Sequence, residues 1–190
     1  MPHYYFDIET TGLDPKNDKI ITIQYQPIAV DTGKTDGPLK ILKSWEIEND
    51  EKKIISEIAP SLLSSNPFRF VPIGNNLNFE FTFLAEKFKE HLGTDVDATF
   101  FHSRPHIDLK PLMILLNRGR FKGYHLLLKK SGNGSSVPKW HHSQEYDKIV
   151  KYVEDEARAF NNFYYKLQQL MFSKEFRFAF NSNWSLDEFV

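Results

Sequence analysis

The sequence predicts an α/β sandwich built on a mixed sheet, and three observations carry that prediction. The first 47 residues hold three runs of aromatic and β-branched residues separated by turns, which is the pattern of a β-meander. From residue 51 onward, amphipathic helices alternate with short apolar strands. The 190 residues, 41% hydrophobic and 26% charged, suffice for one packed core but not for two.

The elements follow in order. Tyr4-Tyr5-Phe6-Asp7-Ile8 reads as the first strand and Thr11-Gly12-Leu13-Asp14-Pro15 as a turn. Residues 20–30 form a second strand and residues 39–47 a third, and the loop beginning at Asp31-Thr32-Gly33 makes them a hairpin. Ile54, Ile55, Ile58 and Leu62 give residues 51–64 a helical period despite Pro60. Residues 68–73 are a short apolar strand ending in Gly74-Asn75-Asn76, and residues 80–92 an amphipathic helix through Phe81, Leu84 and Phe88. Residues 98–102 are expected as another strand, 109–116 and 124–130 as short helices, 131–136 as a Gly/Ser-rich loop, and 143–171 as the longest helix. Residues 1–172 then make the domain and 173–190 a C-terminal extension. In that extension Phe176-Arg177-Phe178-Ala179-Phe180 alternates with period two, predicting an edge strand or, alternatively, a contact for a protein partner or a second copy in a homodimer.

Composition excludes several chemistries. Without cysteine there are no disulfides, thiolate zinc sites or cysteine nucleophiles. The first residues lack the basic and apolar regions of a signal peptide, and no run approaches the ~18–20 apolar residues of a membrane span. A soluble cytoplasmic protein without a membrane role is expected. The net charge of −1 conceals an uneven distribution: residues 102–142 carry eight basic side chains and one acid, together with five of the seven histidines. Such a block is either a solvated face or the footprint of a polyanion.

Asp7 and Glu9, two apart on the first strand, project from one face, opposite Phe6 and Ile8. Acids are disfavoured in strands, and adjacent carboxylates repel unless a cation sits between them. Phe6-Asp7-Ile8-Glu9-Thr10-Thr11-Gly12-Leu13 closely resembles the first motif, Asp-x-Glu-Thr-(Thr)-Gly-Leu, of the DEDD superfamily of 3′–5′ exonucleases. The resemblance implies an RNase H-like three-layer sandwich with a mixed, mainly parallel sheet flanked by helices, two divalent cations, and a nucleic-acid substrate.

The later motifs of that family have counterparts. Gly74-Asn75-Asn76-Leu77-Asn78-Phe79-Glu80 resembles the second, Asn-x-x-Phe-Asp, with Glu80 in place of Asp. In the long helix the apolar seam of Ile149, Val153, Phe160, Phe163, Leu167 and Leu170 is interrupted by Glu156, an acid where the period asks for an apolar residue. Tyr152 lies one turn earlier, and Tyr152-Val153-Glu154-Asp155-Glu156 resembles the Tyr-x-x-x-Asp motif of the tyrosine subclass, again with Glu replacing Asp. Two rivals stand beside it. Asp155 keeps the Asp identity but points about 100° away from Glu156. His142 and Asp147 have the spacing of the histidine subclass, with Asp147 off the seam.

The resemblance implies that Asp7, Glu9, Glu80 and Glu156 hold two Mg²⁺ or Mn²⁺ ions about 3.5–4 Å apart, while Tyr152 orients the attacking water. It also implies that the backbone at Thr10 and Thr11, the wedge of Leu13, and the second-motif residues Asn76 and Phe79 meet the 3′ end of a single-stranded DNA or RNA. The basic block would hold its phosphates. The two Glu-for-Asp changes predict weaker activity in Mg²⁺ than in Mn²⁺. They also leave a second reading open, a catalytically degenerate exonuclease-fold module that binds nucleic acid or a protein partner.

Overall fold

A computed structural model describes residues 2–47, 50–129 and 134–173. Among these, five strands form one sheet: β1 (His3–Thr10), β2 (Ile20–Ile28), β3 (Lys40–Lys43), β4 (Val71–Gly74) and β5 (Ile107–Asp108), in the order β3-β2-β1-β4-β5. The pairs β1–β2 and β2–β3 are antiparallel, and β1–β4 and β4–β5 are parallel. The sheet is mixed as expected, although parallel pairing accounts for half of its ladders rather than most of them.

The pleat of β1 divides the core. Phe6 and Ile8 pack on one face against α1 (Glu51–Leu62) and α2 (Leu77–Leu92), among Ile54, Ile58, Phe81 and Leu84. Tyr5 faces the other side, where Phe160 and Tyr164 of the long helix and Met113 cover the sheet. On the first face Glu51 is buried, its Oε1 accepting the amide of Ile20, while His91 Nε2 lies 2.8 Å from its Oε2. Buried Lys87 sits 3.9 Å from Glu51 and 2.8 Å from Glu90. These contacts fasten α1 to α2.

Several boundaries move for identifiable reasons. Residues 98–102, expected as a strand, form a short helix, α3 (Ala98–His102). Asp97 caps it by accepting from the amide of Phe100, and Phe101 stacks on Phe81, so capping and packing override the β-propensity of Thr99-Phe100-Phe101. The fifth strand lies instead at Ile107–Asp108, ahead of α4 (Lys110–Leu116). The third strand ends at Lys43 and passes into a 3₁₀ turn. Residues 124–128 make a 3₁₀ helix, and residues 137–142 form their own helix, α5 (Val137–His142), before α6 (Tyr146–Met171). On α6 the buried seam runs through Ile149, Val153, Ala157, Phe160, Tyr164 and Leu167, whereas Leu170 is exposed. The Phe176–Phe180 stretch lies outside the described residues. No helix among the described residues is long and apolar enough to cross a membrane.

Candidate active site

Chain geometry at the end of β1 builds the site. Tyr5, Asp7 and Glu9 share the face turned toward α6, and β1 is paired in parallel with β4, whose C-terminal end feeds α2. The turn after β4 needs Gly74: a Cβ there would stand 2.9 Å from the backbone oxygen of Phe6 and 2.5 Å from Leu77. Glycine therefore lets the start of α2 close on β1 and brings Glu80 beside Asp7.

Carboxylate oxygens of Asp7, Glu9 and Glu156 all lie within 4.8 Å of one another. Glu80 adjoins them, buried on α2, with its Oε2 lacking any hydrogen-bond partner. Burial and the neighbouring Asp7 carboxylate push its carboxyl well above the ordinary range. An all-oxygen group of this kind, with one orphaned buried oxygen, fits a hard divalent cation.

Asp7 is held by donors from two strands. Its Oδ2 accepts from the Tyr5 hydroxyl at 3.2 Å and from Gln24 Nε2 at 3.0 Å, and Gln24 Oε1 in turn accepts from Thr22 Oγ1 at 2.9 Å. Gln24 and Thr22 are fully buried and face Asp7 and Glu9 across the β1–β2 ladder. Tyr152, also buried, donates to Glu156 and stands near Glu9 and Asp7. Desolvation and then those carboxylates push its hydroxyl far above the usual phenol range, as they do for Tyr5. Gly134 covers this corner: a Cβ would come 3.3 Å from the Tyr152 hydroxyl and 3.7 Å from Glu9 Oε2.

The other expected residues separate into groups. Asn76 and Phe79 line the same cavity, of about 240 Å³, together with Tyr124 from the basic block. Thr10 Oγ1 donates to Gly12 O and Thr11 Oγ1 to Asp18, so both hydroxyls brace the turn that presents Leu13, which is 83% exposed. Asp155 stands apart from the carboxylate group and pairs with Arg158 at 3.0 Å. Asp147 and His142 are exposed, at the first turn of α6 and the end of α5.

Asp108 escaped the sequence reading. Its carboxylate accepts from the amides of Asn76 (2.8 Å) and Leu77 (3.0 Å), capping α2 from the neighbouring strand, while Lys110 Nζ donates to Asn76 Oδ1 at 2.6 Å. Asn76 itself adopts the left-handed conformation and offers no side-chain cap. The period-two rule could have found Tyr5; Gln24 and Asp108 required the strand register.

A family profile described as the RNase_H superfamily matches residues 4–128, well over half of the chain. The chain belongs to the RNase_H superfamily. That match covers the segments of Asp7, Glu9 and Glu80, while Tyr152 and Glu156 lie beyond it on α6. Solved structures similar to this RNase_H-superfamily chain include exonuclease I of E. coli in a metal-free complex with single-stranded DNA (15% identity, TM-score 0.48). Two more are the same enzyme with a 5cy-dA13 oligonucleotide and its zinc-bound complex with single-stranded DNA (each 15% identity, TM-score 0.49). In each, the alignment covers 64% of this chain and 31% of the other, so this chain spans about a third of the length of exonuclease I. Comparison with curated proteins by sequence gives no match.

Proposed function

We propose that this chain is a metal-dependent 3′–5′ exonuclease of the tyrosine subclass of the DEDD superfamily, with Glu replacing Asp in the second and third motifs. It would remove nucleotides from the 3′ end of single-stranded nucleic acid. The observation that carries this reading is the convergence of Asp7, Glu9 and Glu156 within 4.8 Å, with Tyr152 on Glu156, in a chain of the RNase_H superfamily.

Asp7, Glu9, Glu80 and Glu156 would hold two Mg²⁺ or Mn²⁺ ions, which would supply charge neutralisation and an acidified water. The Thr22–Gln24–Asp7 chain and the Tyr5 hydroxyl fix the Asp7 carboxylate before any ion arrives. Tyr152 keeps its proton at neutral pH, so it acts as a hydrogen-bond donor that orients the attacking water rather than as a base. Water oxygen adds to the phosphorus of the last phosphodiester, the bond to the preceding 3′ oxygen breaks, and that oxygen leaves with a proton. A nucleoside 5′-monophosphate departs. The turn at Thr10 and Thr11 offers its backbone to the terminal nucleotide, Leu13 its exposed apolar side chain to the last base, and Asn76 and Phe79 line the pocket behind.

Labelling opposite ends of the same strand tests the direction. With Mn²⁺ or Mg²⁺, a 5′-labelled single strand should give a descending ladder, while a 3′-labelled strand should release labelled mononucleotide at once. The reverse pattern, or a single internal cut, overturns the assignment. Binding without any product in either metal favours the degenerate module.

A further inference from the structure

Buried Leu128 lines the carboxylate cavity on one side. The same residue lines a second, wider depression of about 610 Å³ between the 124–128 turn and the outer flank of α6. Its rim carries Lys129, Arg158 and Lys166, with Asn162 among them and Asp155 as its acid. Asp155, Arg158, Asn162 and Lys166 recur at helical spacing, so they form one stripe of α6, and the exposed Arg158 leaves only part of its charge on Asp155. From Asp155 to Lys166 this stripe runs about 16 Å along the helix, about 100° around it from Glu156. Two of the three cations, Arg158 and Lys166, lie outside the basic block of residues 102–142, and only the fold joins them to Lys129.

We infer that this groove is the track for the sugar–phosphate backbone of the single strand upstream of its 3′ end, with Lys129, Arg158 and Lys166 facing its phosphates. The inference rests on the exonuclease reading and adds the path by which substrate leaves the cavity. Charge complementarity selects the occupant: three cations beside one paired acid, next to the carboxylate cavity across Leu128, suit a polyanion. The groove offers no row of aromatic side chains, so it would hold phosphates without reading bases.

Fluorescence anisotropy in EDTA measures binding without cleavage, using labelled 20-mers of dT and of U over a series of salt concentrations. The test proteins are Lys129→Asn with Lys166→Ala, Lys166→Ala alone, and Lys52→Ala on the opposite face as control. Asparagine suits position 129 because Lys129 adopts the left-handed conformation (φ 52°). Losing two phosphate contacts should flatten the log–log salt slope by about 1.4 and weaken binding about 20-fold at ~0.1 M salt. Lys166→Ala should lose about half of that slope, and Lys52→Ala should match wild type. Unchanged affinity and slope in the double variant overturn the groove while leaving the exonuclease reading intact. Failure of wild type to bind either oligonucleotide overturns both. Tighter binding of polyglutamate than of either oligonucleotide, lost in the double variant, would assign the groove to an acidic protein segment instead.

Discussion

Tyr152 shows how the site sets the role of a side chain. A phenol surrounded by Glu156, Glu9 and Asp7 and removed from water cannot give up its proton near neutrality. Tyr152→Phe should therefore lower kcat about 10–100-fold, the range for losing a positioning hydrogen bond, without moving the alkaline limb of the pH–rate profile. A profile that loses an ionisation would mean that the tyrosine acts as a base. Glu80 has the opposite significance for the metal-free protein. Its carboxyl is raised above its ordinary value of 4.5, so the folded state binds more protons than the unfolded state above that pH, and stability falls as pH rises. Glu80→Gln should raise the melting temperature of metal-free protein at pH 7 by a few degrees, and the gain should disappear below about pH 4. Thermal melts in EDTA at both pH values check this. Asp7 and Glu9 were legible because acids are disfavoured in a strand, and Glu156 because it interrupts the apolar period of the sequence, although the buried seam passes beside it through Ala157. Gln24 gives no such signal: a polar residue in β2 looks ordinary until the ladder sets it opposite Asp7.

Element by element, α2 depends on a residue far away in the chain. Its N-terminus has no cap of its own, and Asp108 of β5 supplies one through two backbone amides. Asp108→Ala should cost about 1–2 kcal/mol of stability, or ~2–8 °C in Tm, and should lower activity further by releasing the turn that aims Glu80. Calorimetry alongside a turnover assay separates the two effects, and full activity in a destabilised variant would show that the cap serves folding alone. The long helix was legible from its period, yet its seam runs through Ala157 beside Glu156 and through Tyr164 rather than Phe163, and it ends before Leu170, because small and amphipathic residues fit against the sheet as well as large ones. Residues 98–102 depart from the expected strand because Phe101 packs from one turn of helix as well as it would from a strand, and the Asp97 cap decides between them.

At the scale of the molecule, the charge of −1 combines an acidic cavity with a basic flank. Two divalent cations bound to the four carboxylates would leave the protein at about +3. Because the carboxylates repel until an ion separates them, metal should stabilise the fold: at about 100 times Kd the gain is ~2.7 kcal/mol per ion. A thermal shift with Mn²⁺ that is present in wild type and much reduced in Glu9→Gln is expected, and equal shifts in both would place the metal elsewhere. The most direct measurement is the 3′-end ladder from a 5′-labelled single strand in Mn²⁺, run with wild type and with Glu156→Gln. The expected result is progressive shortening by wild type and a loss of at least about 100-fold in the variant. A ladder that persists in Glu156→Gln would contradict the four-carboxylate site and the tyrosine-subclass assignment together.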